Sequence, residues 1–139
     1  MKTRLSEVQT FLDRTPFARF LGMRCEMKDG ELIATLPFQD KFLGNVAINA
    51  LHGGCTGAFL ELTAIAGVFL ESEMKQPPKP INITVDYLRS AKGEDLYARA
   101  IVHKLGQRMA SVRAEAWQGD DPTKTVTAMQ AHFLVSDAG

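Results

Sequence analysis

One carboxylate, Glu61, stands in the middle of His52–Leu70, nineteen residues that are otherwise apolar, small or hydroxylic. A charge on so apolar a segment is costly unless something pairs it or uses it. At the start of the same segment stand His52, Gly53 and Gly54. A helix that opens on two glycines offers N–H groups with no intrahelical partner, and these N–H groups together with the helix dipole favour negative charge. Glycine also lets a carbonyl approach the backbone closely, so the pattern suits the stabilisation of an oxyanion at Gly53. Two plainer uses stay open. The glycines could let the helix start close to another backbone, and Glu61 could be a structural carboxylate satisfied by capping or pairing.

The spacing carries a second consequence. Glu61 lies eight residues beyond Gly53, which at about 1.5 Å per residue is roughly 12 Å along a helix axis. One side chain does not bridge that distance. If Glu61 attacks a carbonyl held at Gly53, or activates water towards it, the two residues come from different copies of the chain, with two such helices running antiparallel. The chemistry therefore implies a dimer.

The elements that must position these residues can be read along the chain. Residues 1–22 form an amphipathic N-terminal helical segment, with charges scattered through it and no uninterrupted apolar run of the signal-peptide kind. Met23–Phe38 reads as a hairpin turning at Asp29-Gly30, a pair that tolerates positive φ. The stretch "QDKFLGNVAINALHGG" has turn formers and no clean period, which predicts a loop feeding the helix. The long helix is expected from His52 to Met74, ended by "KQPPKP". Strands are expected at Ile81–Ser90, Asp95–Leu105, Arg108–Gln118 and Lys124–Val135. "YARAIVHK" and "MASVRAEAW" alternate in the manner of strands with one buried face. The central helix is the element apolar enough to cover that face, so the order describes an α+β hotdog fold, a curved antiparallel sheet wrapped around one long helix.

Composition narrows the class. A chain of 139 residues with 45% hydrophobic and 23% charged residues fits one domain over residues 1–139. Sixteen basic residues balance sixteen acidic ones, so no global field draws the chain to nucleic acid or an anionic membrane. The apolar helix has the length of a bilayer span, but its central Glu61 and its glycines favour a buried core helix. Cys25 and Cys55 are thirty residues apart with no ligand cluster, which suits a reducing cytoplasm and suggests neither a disulfide framework nor a metal site.

"GNVAINALHGGCTGAFLELTAI", followed by "INITVDYLRSA" and "LGQRMASVRAEAW", resembles the hotdog-fold acyl-CoA thioesterases of the phenylacetate-degradation (PaaI-like) type, within the 4-hydroxybenzoyl-CoA thioesterase superfamily. The resemblance runs from about Met23 to Val135, and its most specific part is an Asn, then His-Gly-Gly, then a carboxylate nine residues after the His. It implies hydrolysis of an acyl- or aryl-acyl-CoA with no cofactor beyond the coenzyme A of the substrate. It also implies a homodimer or homotetramer with each site shared across a two-fold interface.

By the same resemblance, Glu61 is the nucleophile or the general base, Gly53 the oxyanion donor, and His52 orients the loop beside the thioester, with a capping or packing histidine as its plain alternative. Asn45 falls near the family's site asparagine, with Asn49 as its rival and an ordinary turn asparagine as the plain alternative. Gly54 belongs to the substrate-binding set. Pro80 stands about where some relatives carry a water-holding Ser or Thr, a role Thr84 could take if it faces inward. Arg89, Ser90 and Arg108 match positions near the coenzyme A phosphates, where an arginine fork binds bidentately. Burial among Phe59, Leu62 and Ile65 would raise the pKa of Glu61, and a nearby donor would lower it. A non-catalytic acyl-CoA-binding module is the alternative from another class, with a hotdog hydratase or dehydratase as the rival enzyme.

Overall fold

The computed structural model describes residues 2–135. It begins with α1 (Lys2–Arg14) and α2 (Pro16–Leu21), so the expected N-terminal helical segment is two helices; Met1 lies outside the described residues. The break falls at Pro16, which has no N–H to continue the ladder and holds Thr15 extended at φ −88°, ψ 110°. Next come β1 (Arg24–Lys28) and β2 (Glu31–Leu36), paired antiparallel as the expected hairpin. Its turn residues have positive φ, 53° at Asp29 and 78° at Gly30, as a primed turn requires.

The segment expected to be a loop contains a 3₁₀ turn at Asp40–Phe42 and a small ribbon of β3 (Leu43–Asn45) and β4 (Ala50–Leu51). The ribbon delivers the chain to α3 (Gly53–Glu71). This helix ends three residues earlier than expected, where Ser72 turns extended and its N–H bonds the Val68 carbonyl. Four strands follow: β5 (Lys79–Tyr87), β6 (Leu96–Leu105), β7 (Met109–Trp117) and β8 (Thr127–Leu134). The last strand starts later than expected because a tight turn occupies 121–124, where the Asp121 carboxylate accepts from both the N–H (3.0 Å) and the hydroxyl (2.6 Å) of Thr123.

The six long strands form one antiparallel sheet in the order β1-β2-β6-β7-β8-β5. Its inner face lies against α3, chiefly through β6, β7 and β8. Ala98, Ala110, Ala114, Ala116 and Ala131 on that face are buried to 1% exposure or less, which leaves room for the helix to come close. The closest approach is at Gly67, where an added Cβ would stand 2.5 Å from the Ala100 Cβ. Most of α3 is buried within the domain, so this long apolar helix is a core element. At its far end Arg4 of α1 donates to the Phe69 carbonyl (2.9 Å) and lies over the Phe69 ring.

Candidate active site

The ribbon β3–β4 places His52 as the N-cap of α3, where its Nδ1 accepts the Gly54 N–H at 2.9 Å. The His52 carbonyl accepts the N–H groups of Cys55 (3.0 Å) and Thr56 (3.2 Å). In a trans peptide the N–H points opposite to the C=O, so the Gly53 N–H is directed off the start of the helix. Among the described residues it has no acceptor. The cap thus consumes the donor at Gly54 and leaves the one at Gly53 free, at the positive end of the helix dipole. Two close contacts fix the geometry. A Cβ at Gly54 would stand 2.9 Å from the His52 Nδ1, and one at Gly44 would stand 2.7 Å from the His52 Cα.

Gly53 lines a cavity of about 410 Å³ together with Thr56, Tyr87, Leu88, Arg89, Ser90 and Thr127. Three residues expected in the site, Gly53, Arg89 and Ser90, are therefore brought together within one chain. Arg89 and Ser90 are exposed at its edge, in the segment that leaves β5, where the Arg89 N–H bonds the Val126 carbonyl at 3.0 Å. Tyr87 donates its hydroxyl to the Gly53 carbonyl at 2.8 Å. Its direction follows from alternation with Ile83 and Val85, which pack against the core beneath α3.

Glu61 is half-buried and lies on one stripe of α3 with Gly54, Gly57 and Ala58. Phe59, Leu62 and Ile65 turn into the core. Glu61 makes no hydrogen bond or ion pair with a described residue. Within one chain it is not part of the cavity wall at Gly53, as the spacing of eight residues required.

The remaining candidates separate. Thr84 is exposed on the face of β5 opposite Ile83 and Val85, so it points away from α3 and does not take the water-holding place within the chain. Arg108 sits in the exposed β6–β7 turn, at the end of the sheet where Met109, Leu134 and Lys79 pair, whereas Gly53 lies at the Tyr87 end. Asn45 accepts the Ala47 N–H at 3.1 Å in a turn of its own. Asn49 has a left-handed backbone, φ 52°, and packs on Gly93, whose added Cβ would stand 2.5 Å from the asparagine Oδ1. Neither asparagine lines the cavity. Thr56 and Thr127 were not picked out as site residues, and Tyr87 was named with Phe59 and Leu62 only for acyl-chain identity. The signal for Tyr87 was the period-two run "ITVDY", which puts the tyrosine on the helix-facing side.

The long helix wrapped by a curved antiparallel sheet defines a hotdog protein. Residues 48–125, more than half of the chain, match the thioesterase superfamily. The chain belongs to that superfamily. It is 32% identical, over 77% of its length and 78% of the relative's, to the medium/long-chain acyl-CoA thioesterase YigI of Escherichia coli strain K12. A crystal structure of a Chromobacterium violaceum protein is 32% identical over 99% of both chains, with a TM-score of 0.75. A Bacillus halodurans protein solved with CoA shares the fold at 21% identity and a TM-score of 0.75, over 96% of this chain and 91% of that one.

Proposed function

We propose that this protein is an acyl-CoA thioesterase whose site is completed by a second copy of the chain. The observation that carries the reading is the unpaired Gly53 N–H at the cavity that also holds Arg89 and Ser90. A thioester carbonyl bonded there would gain most as its oxygen becomes negative in the tetrahedral transition state. Glu61 of the partner subunit either takes a proton from the water that attacks the carbonyl or attacks it to form an anhydride that water then hydrolyses. In both routes the carbon–sulfur bond breaks, coenzyme A leaves as the thiol and the acyl group leaves as the free acid. The CoA present with the Bacillus halodurans relative and the name of the Escherichia coli relative support the substrate class. Medium and long acyl chains are the first substrates to test, with aryl-acyl-CoA beside them.

Two features support the shared site. The midpoint between Gly53 and Glu61 is Gly57, so two antiparallel α3 helices crossing at Gly57 bring each Gly53 level with the partner's Glu61. Gly54, Gly57 and Ala58 are small enough to admit that approach. Among the described strands the edge strand β5 pairs with β8 alone, and it exposes Ile81 (51%) and Tyr87 (57%), a surface suited to extending the sheet into a second copy. Antiparallel pairing there would also exchange the two ends of the sheet and carry the partner's Arg108 to the Gly53 end, where Arg108 of the same chain does not reach.

The test is Glu61→Gln, assayed by release of CoA thiol from an acyl-CoA panel. Loss of a positioned acid–base group lowers kcat by about 10²-fold or more while the fold is kept. In a mixed dimer of one Glu61→Gln chain and one Gly53→Val chain, one of the two sites holds both intact parts, so random equal mixing should restore about a quarter of all sites. Full activity in Glu61→Gln alone would refute the mechanism, and a compact active monomer would refute the shared site.

A further inference from the structure

We infer that Tyr87 is a positioning residue for the oxyanion donor, acting through the Gly53–Gly54 peptide; this rests on the thioesterase reading above. Consecutive glycines at a helix start have more backbone freedom than any other pair, which is a poor foundation for a donor that must be fixed before charge develops. The structure removes that freedom from three sides. The 52–53 peptide is anchored by its carbonyl, which accepts from Cys55 and Thr56. The 53–54 peptide is anchored at both ends, its N–H on the His52 Nδ1 at 2.9 Å and its carbonyl on the Tyr87 hydroxyl at 2.8 Å. Of the N–H and C=O groups in these two peptides, only the Gly53 N–H has no partner among the described residues.

Tyr87 differs from the other two anchors in its origin. His52, Cys55 and Thr56 belong to the helix start itself, whereas Tyr87 reaches it from the end of β5, thirty-four residues away in sequence. It joins the helix terminus to the sheet at the point where the cavity opens. Its ring also fills the space beside the glycines: a Cβ at Gly53 would stand 3.2 Å from the ring, and one at Gly57 3.3 Å from the hydroxyl. The pairing of Tyr87 with Thr127 of β8 sets the level of the hydroxyl along the sheet.

The test is Tyr87→Phe, which keeps the ring and removes only the hydrogen bond. Removing an oxyanion donor outright costs about 10²–10³ in kcat, so loosening its support is expected to cost less, about 10-fold. KM should stay near that of the wild type and the melting temperature should fall by no more than about 5 °C, as for one neutral hydrogen bond, a split that loss of ring packing would not produce. Backbone amide resonances of Gly53 and Gly54 should shift and broaden in the variant, a readout that does not depend on turnover. A folded Tyr87→Phe protein with wild-type kcat, or with those two resonances unmoved, overturns the inference and leaves the thioesterase reading standing. Absence of thiol release by the wild-type protein from every acyl-CoA overturns the thioesterase reading, and with it any catalytic use of Tyr87.

Discussion

Gly53→Ala separates what the glycine does for the helix from what it does for the site. Alanine inside a helix is favoured over glycine by about 0.5–1 kcal/mol, an upper bound for the gain at Gly53, the first residue of α3. Against that gain, the new Cβ would stand 3.2 Å from the Tyr87 Cε1 and Cζ and 3.3 Å from its hydroxyl. The ring must give by a few tenths of an ångström and the 2.8 Å bond to the Gly53 carbonyl lengthens, at a cost of about 0.5–1.5 kcal/mol for a neutral hydrogen bond. The two terms offset, so stability should change by less than about 1 kcal/mol, a shift of about 3 °C or less in Tm. Turnover should not be spared. A displacement of 1 Å at a reacting centre can cost 10²-fold, so a few tenths of an ångström at the donor should lower kcat by about 10-fold. Thermal melts beside thiol-release kinetics measure both quantities. Wild-type kcat in Gly53→Ala would refute the oxyanion assignment, and a fall of more than about 10 °C in Tm would show that the glycine serves close packing instead.

Gly67→Ala should act on the core rather than the site. The added Cβ would stand 2.5 Å from that of Ala100, and such overpacking typically costs about 1–3 kcal/mol, readable as a lower urea midpoint. Burial pushes the Cys25 thiol up to about 12, from 9.0. The folded protein holds this proton more tightly than the unfolded chain, so the stabilisation is full below pH 9 and is lost as pH rises towards 12. Denaturation followed across that range should be steeper for the wild type than for Cys25→Ala. An equal slope in both would show that Cys25 is not the titrating group.

What the sequence revealed and what it hid divide along the range of the interactions. Asp29-Gly30 marked its hairpin because both positive-φ residues sit within the turn they make. His52-Gly53-Gly54 marked the helix start for the same reason, since the cap closes inside one turn. The face of Thr84 was left conditional because it depends on the register with β8, forty-six residues on at Gln130. Tyr87 carried the right periodicity, yet its bond to Gly53 exists only once β5 has docked beside α3. The ribbon β3–β4 escaped because two strand residues, Ala50 and Leu51, are too few to display a period. The break at Pro16 was legible and was read through, since the amphipathic pattern continues on both sides of it.

The sheet order has a consequence for how the protein is made. β5 pairs with no described strand but β8, and the residue facing Tyr87 is Thr127, forty positions later in the chain. At about 5–20 residues per second on the ribosome, Tyr87 waits about 2–8 seconds before its partner strand is even synthesised. During that interval the nascent chain already has α3 and the Gly53 turn, but nothing ties β5 to the growing sheet of β2, β6 and β7. The strand of the described sheet that comes last in the chain is therefore the one that seats the tyrosine. A ribosome that stops at Val126 would cost the sheet two strands rather than one, β8 unmade and β5 without its partner, and leave a chain whose glycine turn is formed while its anchor hangs free.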